Sequence, residues 1–272
     1  MAPPMALMML MMMVVVVPVA AGLRVAAVQH TVVADDAGAP QWTNLPAYFD
    51  SLQAAGEQGV EVVVFPEFGL FGPDFDKSCS KPSAPMPWCL PLLEAPIGAL
   101  PCTNSSWNSI VRNMSCHVRE ANLTAMFDVC ETANNGTAYN TALVFGPDGA
   151  IVTAYRKMHP WFENCFAAAD NNEITLRFPT HPEPIGIFVC KDILYKTPGP
   201  ELVAKGIKTF LYTVALSVVG AEAVSLWSKE YNATVVSSNL GLGQSGVFRD
   251  GQRLTPAPSS KPGSDVLVIY DL

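Results

Sequence analysis

The sequence predicts a single α/β domain. Apolar strands alternate with segments of helical spacing. Several strands are apolar without interruption, as expected of a sheet covered on both faces. No fixed-period repeat and no linker divides the chain. Of the 272 residues, the portion after an N-terminal leader suffices for one large domain burying roughly 70–75% of its unfolded surface.

The elements follow in order. Residues 5–21, MALMMLMMMVVVVPVAA, carry no charge, and the small residues Ala20, Ala21 and Gly22 close the run. This reads as a secretory signal peptide over 1–22. Pro18, and a length short of the ~20 residues a span needs, argue against a membrane helix, so no stable span is expected in the mature form. LRVAAVQH (23–30) is a first strand. TNLPAYFDSLQAAGEQG (43–59) has helical spacing and a terminal Gly, and VEVVVFPE (60–67) is a buried strand. Residues 72–104, rich in Pro, Ser and Cys, read as a long disulfide-pinned loop. SSWNSIVRNMSCHVREAN (105–122) is helical with Ser105 or Ser106 as N-cap, and LTAMFDV (123–129) is a strand. YNTALVFGPDGAIVTAYRK (139–157) is a hairpin around Pro-Asp-Gly. PIGIFVC (184–190) is a strand, GPELVAKGI a short helix, KTFLYTVAL a strand, AEAVSLWSKEYN a helix and ATVVSSN a strand. DVLVIYDL (265–272) is the final strand.

The formal charge of −8, with no basic stretch, excludes nucleic acid as an expected partner. Asn104, Asn113, Asn122, Asn135 and Asn232 each begin an N-x-S/T sequon. Behind a signal peptide they predict a secreted glycoprotein. In an oxidising compartment cysteines pair. The seven here are an odd number, so at least one is free or pairs between chains, and the connectivity stays open.

Ligands in α/β sheets sit at the carboxyl ends of strands. Three such ends carry a polar residue: Glu67, Lys157 and Cys190. Taken alone, Cys190 reads more often as a disulfide or core residue, Glu67 as a solvated carboxylate and Lys157 as a solvated cation. A helix starting a few residues after Cys190, together with Lys191 and Lys196, would lower the thiol pKa. The four histidines show no metal-ligand spacing, and no Gly-x-Ser-x-Gly marks a serine hydrolase.

VVVFPEFGLFG (62–72), YNTALVF (139–145), YRKMHPWFE (155–163) and IGIFVCKDILY (185–195) together resemble the nitrilase superfamily, and within it the vanin/biotinidase branch of secreted amidases. The resemblance covers about residues 24–250. It implies a four-layer α-β-β-α sandwich that hydrolyses carbon–nitrogen bonds without a cofactor. By motif match, Glu67 is the general base, Lys157 the oxyanion-stabilising cation and Cys190 the nucleophile. Glu163 matches a second glutamate that positions Lys157 and substrate, and the backbone N–H of Lys191 is a second oxyanion donor. The implied substrate is a small linear amide, pantetheine first and biotinyl-lysine second. A homodimer through the elements after the nucleophile is an analogy with the family.

Three departures bear on the pocket. Phe68 stands where the branch has Asp, Lys191 where it has an aromatic residue, and YTVALS (212–217) lacks a Trp. Residues 23–272 read as the hydrolase domain, without the vanin-type C-terminal β-rich region and without a lipid-anchor signal. The departures motivate an alternative: a catalytically inactive secreted glycoprotein that keeps the fold and binds a ligand or partner.

Overall fold

The computed structural model describes residues 22–33, 40–72, 88–161, 165–170, 174–216, 220–240, 243–259 and 265–272. Residues 1–21 of the signal-peptide reading over 1–22, Cys79 and Glu163 lie outside them.

Two mixed sheets build the domain. The first has the order β13-β1-β2-β4-β5-β6, with β3 beside β4. Its strands are β1 (Arg24–Gln29), β2 (Val62–Val64), β3 (Leu90–Pro91), β4 (Thr124–Thr132), β5 (Ala138–Phe145), β6 (Ile151–Arg156) and β13 (Val266–Asp271). The second has the order β12-β11-β10-β9-β8-β7. It contains β7 (Thr175–Phe178), β8 (His181–Val189), β9 (Thr209–Val214), β10 (Thr234–Asn239), β11 (Gly246–Arg249) and β12 (Gln252–Arg253). Each has a parallel centre, β1-β2-β4 and β8-β9-β10, flanked by antiparallel strands.

Alternation of side chains along the strands sets the layers. Ala26, Val28, Val63 and Phe65 pack with Leu45, Tyr48 and Leu52 of α1 (Pro40–Glu57) and Val111, Met114 and Val118 of α2 (Ser109–Ala121). Val25, Ala27, Val62 and Val64 belong instead to a second core with Ile187, Val189, Leu211 and Val235 of the other sheet. Leu202 of α3 (Gly199–Ala204) and Val224 and Trp227 of α4 (Gly220–Glu230) join that core. The result is the four-layer order that the resemblance implies. Gly186 in β8 is a packing requirement: a Cβ there would meet the Phe210 ring at 2.6 Å. Gly149 closes the β5–β6 turn at φ +79°, where a Cβ would lie 2.4 Å from the Ser115 carbonyl oxygen.

The differences from expectation are local. The N-cap of α2 is Asn108, whose side chain accepts the Ile110 N–H, and not Ser105 or Ser106. Ser106 is held by Asn104 Oδ1 in a turn of its own. β2 is only three residues long, because Pro66 has no N–H to continue the ladder. β3, β7, β11 and β12 were not anticipated. All are of two to four residues, too short to show a period.

Disulfides join Cys89 to Cys130 and Cys102 to Cys116. Cys165 is also disulfide-bonded. Cys190 is the free cysteine among the described residues, and it is buried.

Candidate active site

Two antiparallel steps separate β4 from β6, so β2, β4 and β6 run in the same direction. Their carboxyl ends lie at one edge of the first sheet. Glu67 follows β2, Lys157 follows β6, and Cys190 follows β8 of the facing sheet. Residues up to 123 positions apart in sequence thereby meet in one buried cluster. Glu67 is 0% exposed, Lys157 1% and Cys190 4%. Lys157 Nζ donates to Glu67 Oε1 at 2.8 Å. Glu67 also hydrogen-bonds the Cys190 thiol. A buried carboxylate needs a partner of this kind, and each of the three supplies one for another.

Neighbouring residues fix the cluster. Asn140 of β5 donates its side-chain amide to Glu67 Oε1 at 2.9 Å, and its backbone carbonyl accepts the backbone N–H of Lys157 at 2.8 Å. The Phe68 N–H donates to Asp128 Oδ1 at 2.9 Å, holding a residue whose φ is +57°. Cys190 has φ +45°, a conformation that only an over-determined site retains. It opens a 3-10 turn, Cys190–Leu194. Within that turn Asp192, with no exposed surface, accepts four hydrogen bonds. They come from Tyr155 Oη (2.7 Å), the Val189 N–H (3.1 Å), the His159 N–H (2.9 Å) and His159 Nδ1 (2.8 Å). Tyr212 Oη donates to the Cys190 carbonyl at 2.9 Å.

The electrostatics correct one expectation. The helical turn that follows β8 is the 3-10 turn opened by Cys190 itself, and α3 starts only at Gly199. Burial pushes the Cys190 thiol well above its ordinary value, and the Glu67 charge and hydrogen bond add to the rise. The Lys157 ammonium and the Ala215 N–H pull the other way. Lys191 does not supply that cation through its side chain. Its Nζ is turned to the carbonyls of Pro160 (3.2 Å) and Trp161 (3.5 Å), over the Trp161 and Tyr195 rings. Burial and the neighbouring carboxylate thus favour the neutral form of the thiol.

Asn140, Tyr155, Asp192 and Tyr212 were not singled out from the sequence. Asn140 and Asp192 do lie inside the motifs YNTALVF and CKDILY. Membership in those motifs was the available signal. Among the described residues no cluster of three or more His, Cys, Asp and Glu is arranged to hold a metal ion, and no helix is long and apolar enough to cross a membrane.

The profile of the carbon–nitrogen hydrolases matches residues 24–233. The chain belongs to the carbon–nitrogen hydrolase family. Among curated relatives, a biotinidase of Takifugu rubripes is 27% identical over 197 residues, 63% of this chain and 36% of that protein. A human pantetheinase is 24% identical over 250 residues, 84% of this chain and 46% of that protein. The chain thus spans less than half the length of these relatives. An amidase of the nitrilase superfamily from Nesterenkonia AN1 superposes with a TM-score of 0.68 at 19% identity, covering 94% of this chain and 93% of that one. At that identity the likeness establishes the nitrilase fold. For a carbon–nitrogen hydrolase, the placement of a buried Glu, Lys and free Cys at the strand ends is the feature with chemical content.

Proposed function

We propose that this carbon–nitrogen hydrolase is a secreted thiol amidohydrolase acting on a linear amide, with Cys190 as nucleophile, Glu67 as general base and acid, and Lys157 as oxyanion cation. The observation that carries this reading is the buried contact of Glu67 with both Lys157 and the Cys190 thiol. Glu67 takes the thiol proton as sulfur attacks the amide carbonyl carbon. Lys157 and the backbone N–H of Lys191 hold the oxyanion. N–H groups in the first turn of a helix have no acceptor within it, which suits Lys191 to that task. As the tetrahedral adduct collapses, the C–N bond breaks and Glu67 gives its proton to the leaving amine. Glu67 then deprotonates water, which attacks the thioester. The C–S bond breaks, the carboxylic acid leaves, and the proton returns to sulfur. Glu163 is assigned the supporting role at Lys157 on motif match alone.

The relatives' names make pantetheine, yielding pantothenate and cysteamine, the first substrate to try, and biotinyl-lysine the second. Secretion rests on the 1–22 leader, the disulfides and the sequons. Asn104, Asn122, Asn135 and Asn232 are exposed and Asn113 is half-buried on α2, so glycans fit at the first four without disturbing the core.

The test is amine release from both substrates by the secreted protein, beside Cys190→Ala. Release by the wild type alone supports the reading. Equal release by both proteins would remove Cys190 from the mechanism. Release by neither, with a Cys190 that resists iodoacetamide, would favour the non-catalytic binder.

A further inference from the structure

We propose that Asn140 is a positioning residue for Glu67: it clamps one carboxylate oxygen so that the other performs the proton transfers. This rests on the role of Glu67 proposed above. Asn140 is 1% exposed, on β5 between β4 and the edge strand β6 of the first sheet, and paired with Cys130 of β4. Its amide donates to Glu67 Oε1, the oxygen that also receives Lys157 Nζ. Its Oδ1, equally buried, makes no hydrogen bond among the described residues. Asparagines that hold this fold together behave differently. Asn44 accepts from the Val33 N–H and His30 Nε2 while donating to the Val33 and Leu70 carbonyls. Asn239 both accepts from and donates to Leu216. Burying an amide for a single contact is unfavourable unless that contact matters. Here the contact is to the base.

The clamp has a chemical consequence. With two donors on Oε1, negative charge is held there, and the proposal gives Oε2 the proton exchanges with sulfur, amine and water. Because the Asn140 backbone carbonyl also accepts the Lys157 backbone N–H, one residue sets the spacing of the base and the oxyanion cation. The titratable groups around Glu67 are Lys157 after β6, Cys190 after β8 and Tyr212 on β9, with Asp128 of β4 bound to the adjacent Phe68.

Asn140→Leu removes the donor at similar size. A carboxylate that loses a donor to its charged form protonates at higher pH. The rate of Cys190 alkylation by iodoacetamide, followed against pH by peptide mass spectrometry, reads this without any substrate. The acid limb is expected to move to higher pH, and the plateau rate to fall roughly 10- to 100-fold through misplacement of the base. Asn140→Asp sets a second carboxyl against Glu67 and should move the limb further in the same direction. Circular dichroism and melting establish that each variant is folded. An acid limb that stays in place in a folded variant of either kind would overturn the clamp. If the wild type releases no amine from either substrate yet the limb still moves, the clamp stands and the substrate reading fails.

Discussion

Asp192 shows how much of the site depends on the residues that brace Cys190. It is a buried carboxylate with four donors, and it ties the turn carrying Cys190 to β6 and to His159. Asp192→Asn would turn an NH2 group toward donors. We expect a loss of about 1–3 kcal/mol in urea unfolding and a fall in kcat of roughly 100-fold as Cys190 leaves its left-handed conformation. A variant with full kcat would show that the turn holds itself. The three residues at strand ends were legible in the sequence because polarity interrupts an apolar run there. Their partners were less so. Asn140 and Tyr155 sit within strands, where one polar atom is absorbed by a contact made across the sheet, and nothing local in the sequence announces that contact.

At the scale of elements, the first sheet is closed near the site by a charged joint. Arg156, at the end of β6, donates to both oxygens of Glu131 near the end of β4, at 2.5 and 3.0 Å. Thr141 of β5 adds a third donor at 2.7 Å. Glu131 is 1% exposed, and these contacts with Glu131 raise the Arg156 pKa further above its ordinary value. Arg156→Ala leaves that carboxylate under-paired and should cost about 3 kcal/mol in denaturant unfolding. Arg156→Lys should recover only part, since the bidentate fork is lost. A cost within experimental error for the alanine variant would mean that water replaces the guanidinium fully. Long strands, the β5–β6 hairpin and helices α1 to α4 could be read from periodicity and turn residues. The two- to four-residue strands could not, since their pairing is imposed by neighbours already in the sheet.

Across the whole molecule, burial raises the pKa of Cys190, Tyr48, Tyr155 and Tyr212, and nearby carboxylates add to each rise. The folded chain therefore keeps protons that the unfolded chain releases. Stability from these groups is complete below the ordinary thiol value of about 8.5, falls as pH rises past it, and falls faster past about 10, where phenols ionise. Between about pH 8 and 10 the wild type should lose urea stability by up to roughly 1.4 kcal/mol per pH unit more than Cys190→Ala does. Parallel curves for the two proteins would show that the thiol is not held protonated by the fold. The same sequestration makes the account depend on Glu67 releasing the thiolate at the moment of attack. Acid-quenched mass spectrometry of the protein mixed with pantetheine tests this most directly. A pantothenyl adduct on the peptide containing Cys190, absent from Cys190→Ala and scarce in Glu67→Gln, is the expected result. Turnover with the acyl group on another residue, or turnover that survives in Cys190→Ala, would contradict it.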